Sequence, residues 1–559
     1  MSMILRMPQK EIINLLNDLV LQEEKKLVSF LPADNISKKA FLYSLLREFD
    51  TFFLFTKDRD KYLHHYQFGW VRALALAYGD YVNEKRYPLF KSEEKTLSFA
   101  HWFILQAGQI EFCKKVIGFI QAGLGIASVK GKLITVEFGN IGVKEEFDEQ
   151  AFDWVHNLVH EHVCEPEIKK ILKDVEKVRK KMCSLVGRWR THFIQYDTTP
   201  EIDNVFEKFA YYRLFASEEK EEFGSDSLFG GIPYSKYCEF IMVICGIALK
   251  HYHFCLELYD KYKGEIRFPD IITITKDRKG FIESIAQYLK VSANEAEQML
   301  DSVTLRLENI EYHSNRPRAY PPPFIKIADN FLIQSIVGSE VNPYSFLNHE
   351  LRRKYERDYF QVVNEREKIF RKQLYACFEE DIYVKVDKEV KFRSSKGISD
   401  VDAAIYDKDS NVLGLFQLKW QEMYGVSMKE RYSRINNLYP KVVEWIDKVE
   451  SWINESDVQE ALKKFGLECK KVPVKVLLFV VCRHGTFFTG YEPDKRAAWS
   501  SIWLILKIFS QIPRGIPNKL EVLNNLLRRE YSAISSAKQA IDEYMFKIGE
   551  YELRLKVVQ

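Results

Sequence analysis

The sequence predicts a multidomain α + α/β chain: a mostly α-helical N-terminal half, followed by an α/β/α domain with a central mixed sheet. Three observations predict it. Aromatic-rich apolar faces recur at helical spacing through most of the first 260 residues. A proline-rich break, ArgProArgAlaTyrProProPro at 316–323, interrupts the chain past its middle. Beyond the break, strand-length apolar runs alternate with helical stripes, the pattern of an α/β layer. With 559 residues, 46% hydrophobic and 14% aromatic, the chain is long enough for about three or four domains. The expected boundaries are 1–265 for the helical domain, 266–345 for a small helical unit with the Pro-rich linker and a hairpin, 346–515 for the α/β/α domain, and 516–559 for a C-terminal helix and short strand.

Residues 8–127 read as several helices, with faces such as ThrPhePheLeuPhe (51–55) and PheAlaHisTrpPheIleLeu (99–105). The run 128–138 reads as a hairpin turning at Gly131. Helices resume to about residue 260. Residues 270–305 read as a small helical unit in which Ser292 caps a helix and Glu295, three residues on, completes a capping box. The Pro-rich segment leads into a hairpin at 324–334 that turns at Asp329–Asn330.

Residues 355–378 read as one helix with a stripe at Val363, Phe370, Leu374 and Phe378. Glu367 falls on that stripe, where a carboxylate is unexpected. Apolar runs 403–406 and 412–416 flank the polar residues 407–411 and read as two paired strands. Asp402 opens the first strand, with Asp400 two residues earlier on the same face; Gln417 and Lys419 close the second. Because strand side chains alternate, Gln417 and Lys419 share a face. Residues 429–453 read as a helix that Pro440 should kink or split, and 474–481 as a buried strand. Charged and amide groups beside a core strand are costly unless they bind something. A divalent metal and a phosphate fit this set.

The pattern of Asp402, a hairpin, then Gln417-x-Lys419 resembles the signature of the PD-(D/E)xK nuclease superfamily, in the Gln-x-Lys form of its Mrr-like branch. The resemblance covers roughly residues 350–490 and implies a restriction-endonuclease-like domain that uses Mg²⁺ or Mn²⁺. It implies that the Asp402 carboxylate, the Gln417 amide oxygen, the Leu418 carbonyl and Glu367, directly or through water, hold the metal. Asp400 would add charge, and Lys419 would orient the attacking water. Gln417 departs from the acidic residue usual there, and an uncharged amide binds Mg²⁺ less strongly than Glu would. The implied function is a metal-dependent endonuclease in prokaryotic defence against phage or foreign DNA, with DNA favoured over RNA as substrate. The alternative is a catalytically inactive nuclease fold that binds nucleic acid or protein, or serves assembly.

Lys and Arg total 82 against 79 Asp and Glu, a net charge of +3, so any nucleic-acid surface must be local. Lys429, Arg431 and Arg434, at the start of a helix, are candidates for phosphate contact. The nine cysteines show no CxxC spacing, which argues for reduced thiols and a cytoplasmic setting. No apolar run reaches about 18 residues, and the N-terminus lacks a signal-peptide core, so no membrane partner is expected. A homo-oligomer would supply the two sites that cutting a duplex needs. HisGluHisValCys (160–164) and HisTyrHisPheCys (251–255) share one spacing. On facing helices, His160, Cys164, His251 and Cys255 would make a tetrahedral zinc site; the bland reading is core packing.

Overall fold

The computed structural model describes residues 7–55, 59–78, 89–123, 125–138, 160–215, 217, 220, 222–316, 319–420, 428–456, 462–467, 474–483, 493–513, 516–536 and 544–557. Helices Gln9–Ser29, Asn35–Phe55, Arg59–Tyr78 and Glu94–Gln121 bring their aromatic faces into one core. Trp70 stacks on Phe49 at 3.9 Å, and its indole donates to the Leu45 carbonyl at 3.3 Å. Arg59–Tyr78 and Glu94–Gln121 approach so closely that a Cβ on Gly69 would lie 2.0 Å from the Ile104 carbonyl oxygen and 2.6 Å from the Gly108 nitrogen. Backbone atoms cannot step aside as a flexible side chain could. Gly69→Ala should therefore push the helices apart and destabilise the fold by about 3 kcal/mol or more. A urea midpoint equal to wild type would rule out this close crossing.

The hairpin expected at 128–138 is Gly125–Lys130 paired with Leu133–Phe138, turning at Gly131, whose φ is +61°. Its sheet gains two strands from the far end of the chain. Tyr551–Val557 pairs in parallel with Leu133–Phe138, and Tyr544–Ile548 pairs with Tyr551–Val557. This corrects the expected 516–559 unit. Its helix, Lys519–Ser536, packs on the C-terminal sheet through Leu520, Leu523 and Leu527, whereas its strands belong to the N-terminal sheet. An apolar strand pattern states that a face is buried, not which strand it will pair with.

Helices Glu165–Leu185, Pro200–Arg213 and Tyr234–Lys261 build a second core. Among the described residues, Tyr234–Lys261 is the one helix long and apolar enough to cross a membrane. Yet 56% of its apolar window is buried within the protein, through residues such as Tyr237, Phe240 and Ile244, so it packs as a core helix.

Residues 270–305 are not purely helical. The Ser292–Glu295 capping box forms and starts helix Ala293–Asp301. Strands Ile274–Asp277 and Thr304–Leu305, however, join the expected hairpin, Phe324–Ala328 with Phe331–Gln334, in a four-stranded sheet. The Pro-rich segment is no solvated linker, a second correction: residues 319–325 are buried, and a Cβ on Gly338 would lie 2.1 Å from the Pro322 carbonyl oxygen. Asp50 clamps this region to the first helical layer. It accepts from Ser335 Oγ at 2.8 Å and from the Ile336 and Val337 nitrogens at 3.1 Å. Proline lacks a donor, so a buried run of it leaves few polar groups to satisfy, and composition alone cannot tell it from a linker.

The C-terminal domain is an α/β/α layer on a five-stranded mixed sheet, in the order Tyr383–Val386, Ala403–Asp407, Val412–Lys419, Lys475–Cys482, Ala497–Ser501. The first three strands are antiparallel and the last two run parallel to Val412–Lys419. The expected hairpin forms, with Ala403 opposite Phe416 and Asp407 opposite Val412. One face carries Ala403, Ile405 and Phe416 under Phe370, Leu374 and Ile505. The other carries Ala404, Leu413 and Leu415 under Val442, Trp445 and Val449. Burial on both faces is why Val412–Leu418 reads as a continuous apolar run.

Two helical expectations change. Residues 355–378 break into Glu356–Val363 and Arg366–Ala376, because Val362 and Tyr359 pack into the helical core while Phe370 and Leu374 pack on the sheet. Helix Met428–Glu455 runs through Pro440 unsplit. Pro440 lies on its exposed side, where water can replace the missing backbone bond.

Candidate functional site

Asp402 sits at a bend between strands Gly397–Val401 and Ala403–Asp407, at the end of the sheet, and is only 4% exposed. Its backbone nitrogen donates to the Phe416 carbonyl at 3.2 Å. One carboxylate oxygen, Oδ2, accepts from the Leu418 nitrogen at 2.7 Å and from Gln417 Nε2, and Lys419 Nζ lies 4.0 Å from it. The three predicted side chains thus converge on one face, the face of Ala404, Leu413 and Leu415 beneath helix Met428–Glu455. The Leu418 nitrogen points toward Asp402, whereas the Lys419 carbonyl accepts from the Arg483 nitrogen at 2.9 Å.

Glu367 arrives from the opposite layer. It stands in the first turn of Arg366–Ala376, its side chain is 45% exposed, and Arg371 Nη2 binds it at 3.0 Å. Burial lifts the Asp402 carboxyl to about 6; Lys419 pulls it back, and the nearby Glu367 charge pushes it further up.

Asp400 is not on the Ala403–Asp407 strand. It belongs to a small separate hairpin, opposite Lys391, and its carbonyl accepts from Trp445 Nε1 at 2.7 Å. Its carboxyl meets an acid that sequence reasoning missed. Glu389 lies just before strand Val390–Ser394, and burial, a hydrogen bond with Asp400, and the charges of Asp400 and Glu367 raise its carboxyl above the ordinary range. No local signal marks Glu389; the cross-strand pairing of 390–394 with 397–401 brings it in. The Glu367 charge thus acts on both Asp402 and Glu389, and Glu389 in turn bonds Asp400, which links the four carboxyls in a chain at this end of the sheet.

Among the described residues, no three His, Cys, Asp or Glu side chains converge tightly enough to hold a metal by themselves. The donor chemistry still fits Mg²⁺, which takes one or two carboxylates and fills its octahedron with carbonyl oxygens and waters. Gln417 turns its amide N–H, not its oxygen, to Asp402, so it can serve as a ligand only if that amide turns over. The side chains of Lys429, Arg431 and Arg434 lie outside the described residues.

The zinc expectation is corrected. His251 uses both ring nitrogens, Nδ1 with Tyr196 Oη at 3.1 Å and Nε2 with the Ile271 carbonyl at 3.0 Å. Cys255 Sγ donates to that same carbonyl at 3.2 Å. Cys164 packs in the core of the C-terminal sheet, and Cys255 in the helical core, so the pairs His160/Cys164 and His251/Cys255 do not face each other. Cys164, His251 and Cys255 are packed core residues, and His160 is half-buried. No known family model matches the chain, and neither does any curated protein or solved structure.

Proposed function

We propose that the C-terminal domain is a metal-dependent endonuclease of the PD-(D/E)xK type, cleaving phosphodiester bonds of nucleic acid, with DNA as the first substrate to test. The observation that supports this most is the meeting of Asp402, Gln417 and Lys419 at one carboxylate oxygen, with the Glu367 charge acting on Asp402 from the opposite layer. Asp402 and Glu367 would hold Mg²⁺ or Mn²⁺ with the Leu418 carbonyl, the Gln417 amide and water. When bound, the ion would lower the pKa of a water and neutralise charge on the scissile phosphate. Lys419, one-quarter exposed beside Asp402, has the reach to orient the attacking water and to stabilise phosphate charge as a compact cation. Glu389 and Asp400 add negative charge that favours a cation and disfavours a bare phosphate. By the same resemblance, the protein would act in prokaryotic defence against foreign DNA from a cytoplasmic location.

Plasmid DNA and RNA, each incubated with Mg²⁺, Mn²⁺ or EDTA, test this reading. Cleavage that needs metal supports it, and inert substrates in both metals refute it. The Gln417–Asp402 hydrogen bond favours one rival, an inactive nuclease-type fold used for binding or assembly, because the amide braces Asp402 without a metal. Gln417→Glu separates the two. If position 417 is a ligand, the introduced carboxylate should lower the Mg²⁺ concentration for half-maximal cleavage by on the order of tenfold, while its like-charge repulsion with Asp402 weakens the metal-free protein. A higher Mg²⁺ requirement, or loss of folding with metal present, would make Gln417 a brace.

A further inference from the structure

The helical half and the candidate site share one buried carboxylate. Glu222, in the segment that follows helix Pro200–Arg213, is 3% exposed. Its Oε1 accepts from Arg366 Nη2 at 2.8 Å and from Trp420 Nε1 at 2.9 Å. Arg366 immediately precedes Glu367, and Trp420 immediately follows Lys419. The Arg366 guanidinium also lies 5.4 Å from the Trp420 ring and 4.9 Å from the Phe223 ring, and Phe370 sets its edge on Trp420 at 5.7 Å. Arg483, whose nitrogen donates to the Lys419 carbonyl, also lies 5.6 Å from the Trp420 ring. A single oxygen from the helical half therefore joins the start of the helix that carries Glu367 to the end of the strand that carries Lys419.

We propose that Glu222 is a positioning residue for this site: it fixes the Glu367 helix turn against the Lys419 strand end, so that both side chains are held at a set distance from Asp402. The kinetic consequence rests on the nuclease reading, whereas the mechanical coupling does not. A buried ion pair is a poor source of net stability compared with apolar packing, but one acceptor shared by two fixed donors restricts geometry strongly. Because displacements near 1 Å cost catalysis heavily, such a joint makes the helical half part of the site.

Full-length Glu222→Ala, Glu222→Gln and Trp420→Phe test the proposal by steady-state cleavage and by hydrogen exchange. Glu222→Ala should lower kcat on the order of tenfold or more with KM for nucleic acid unchanged. Glu222→Gln, which keeps an acceptor oxygen for Trp420, should recover part of that loss. Amides in 366–376 and 412–420 should exchange faster in Glu222→Ala than in wild type. Wild-type kcat in Glu222→Ala, or a rise in KM alone, overturns the proposal. If wild type cleaves nothing with either metal, the nuclease reading falls and exchange decides alone: unchanged protection at both segments refutes the joint, and faster exchange at both upholds it. Should Glu222→Ala fail to fold, Glu222→Gln and Trp420→Phe carry the same comparisons.

Discussion

Asp402→Asn should abolish Mg²⁺-dependent cleavage, by on the order of a thousandfold, while the metal-free protein keeps its stability or gains some. Asparagine has the shape of the residue it replaces, and its Oδ1 can still accept from the Leu418 nitrogen and the Gln417 amide. What it removes is a buried negative charge that the fold holds against desolvation. Lys419→Met should likewise lose on the order of a hundredfold or more in rate at little structural cost, since that side chain is one-quarter exposed and makes no contact closer than 4.0 Å to Asp402. Loss of rate with retained stability is the pattern of a site that stores strain for chemistry. Cleavage assays beside urea midpoints measure both quantities. If Asp402→Asn cleaves like wild type, the proposed site is wrong; if it unfolds, Asp402 is a structural tie between two strand ends.

Glu350→Gln should cost about 3 kcal/mol at pH 7, a penalty that shrinks as pH falls from about 4.5 to about 2. Glu350, fully buried on helix Pro343–Lys354, accepts from Arg353 Nε and Nη2 at 2.8 Å each and pairs with His313 Nε2 at 3.0 Å. Burial alone would raise its carboxyl, but the hydrogen bonds from Arg353 and His313, with their charges, overcome that and hold it down to about 2. Burial pushes His313 toward its neutral form, with the charges of Arg316 and Arg353 adding to that push, whereas the hydrogen bond and charge of Glu350 push back. Arg353, and Arg306 at 3.5 Å from Oε1, are the permanent cations against Glu350. A depressed carboxyl binds its proton more weakly folded than unfolded. Its stabilisation is therefore complete above the ordinary carboxylate range and is lost as pH falls through about 2. Urea unfolding of wild type and Glu350→Gln at pH 7 and near pH 2.5 reads the difference, and a penalty independent of pH would sink the assignment.

Features set by near neighbours in the chain are legible in the sequence. The alternation that puts Gln417 and Lys419 on one face is strand geometry, and the 407–411 turn between two apolar runs dictates the hairpin that brings them to Asp402. The Ser292–Glu295 capping box and the turns at Gly131 and Asp329–Asn330 are local in the same sense. Periodicity failed where one apolar stripe served two partners: 355–378 looks continuous, yet its halves pack on different cores.

Local chain chemistry was enough for the α + α/β class, the 403–419 hairpin and the shared face of Asp402, Gln417 and Lys419, because each follows from side-chain period and turn residues within about twenty positions. Long-range folding alone made Glu389 join those acids, carried Glu222 across from the helical half to tie Arg366 to Trp420, and returned Tyr551–Val557 to Leu133–Phe138. Those meetings span tens to hundreds of residues. An apolar or charged pattern states that a group needs a partner, and the folded chain selects which one it gets.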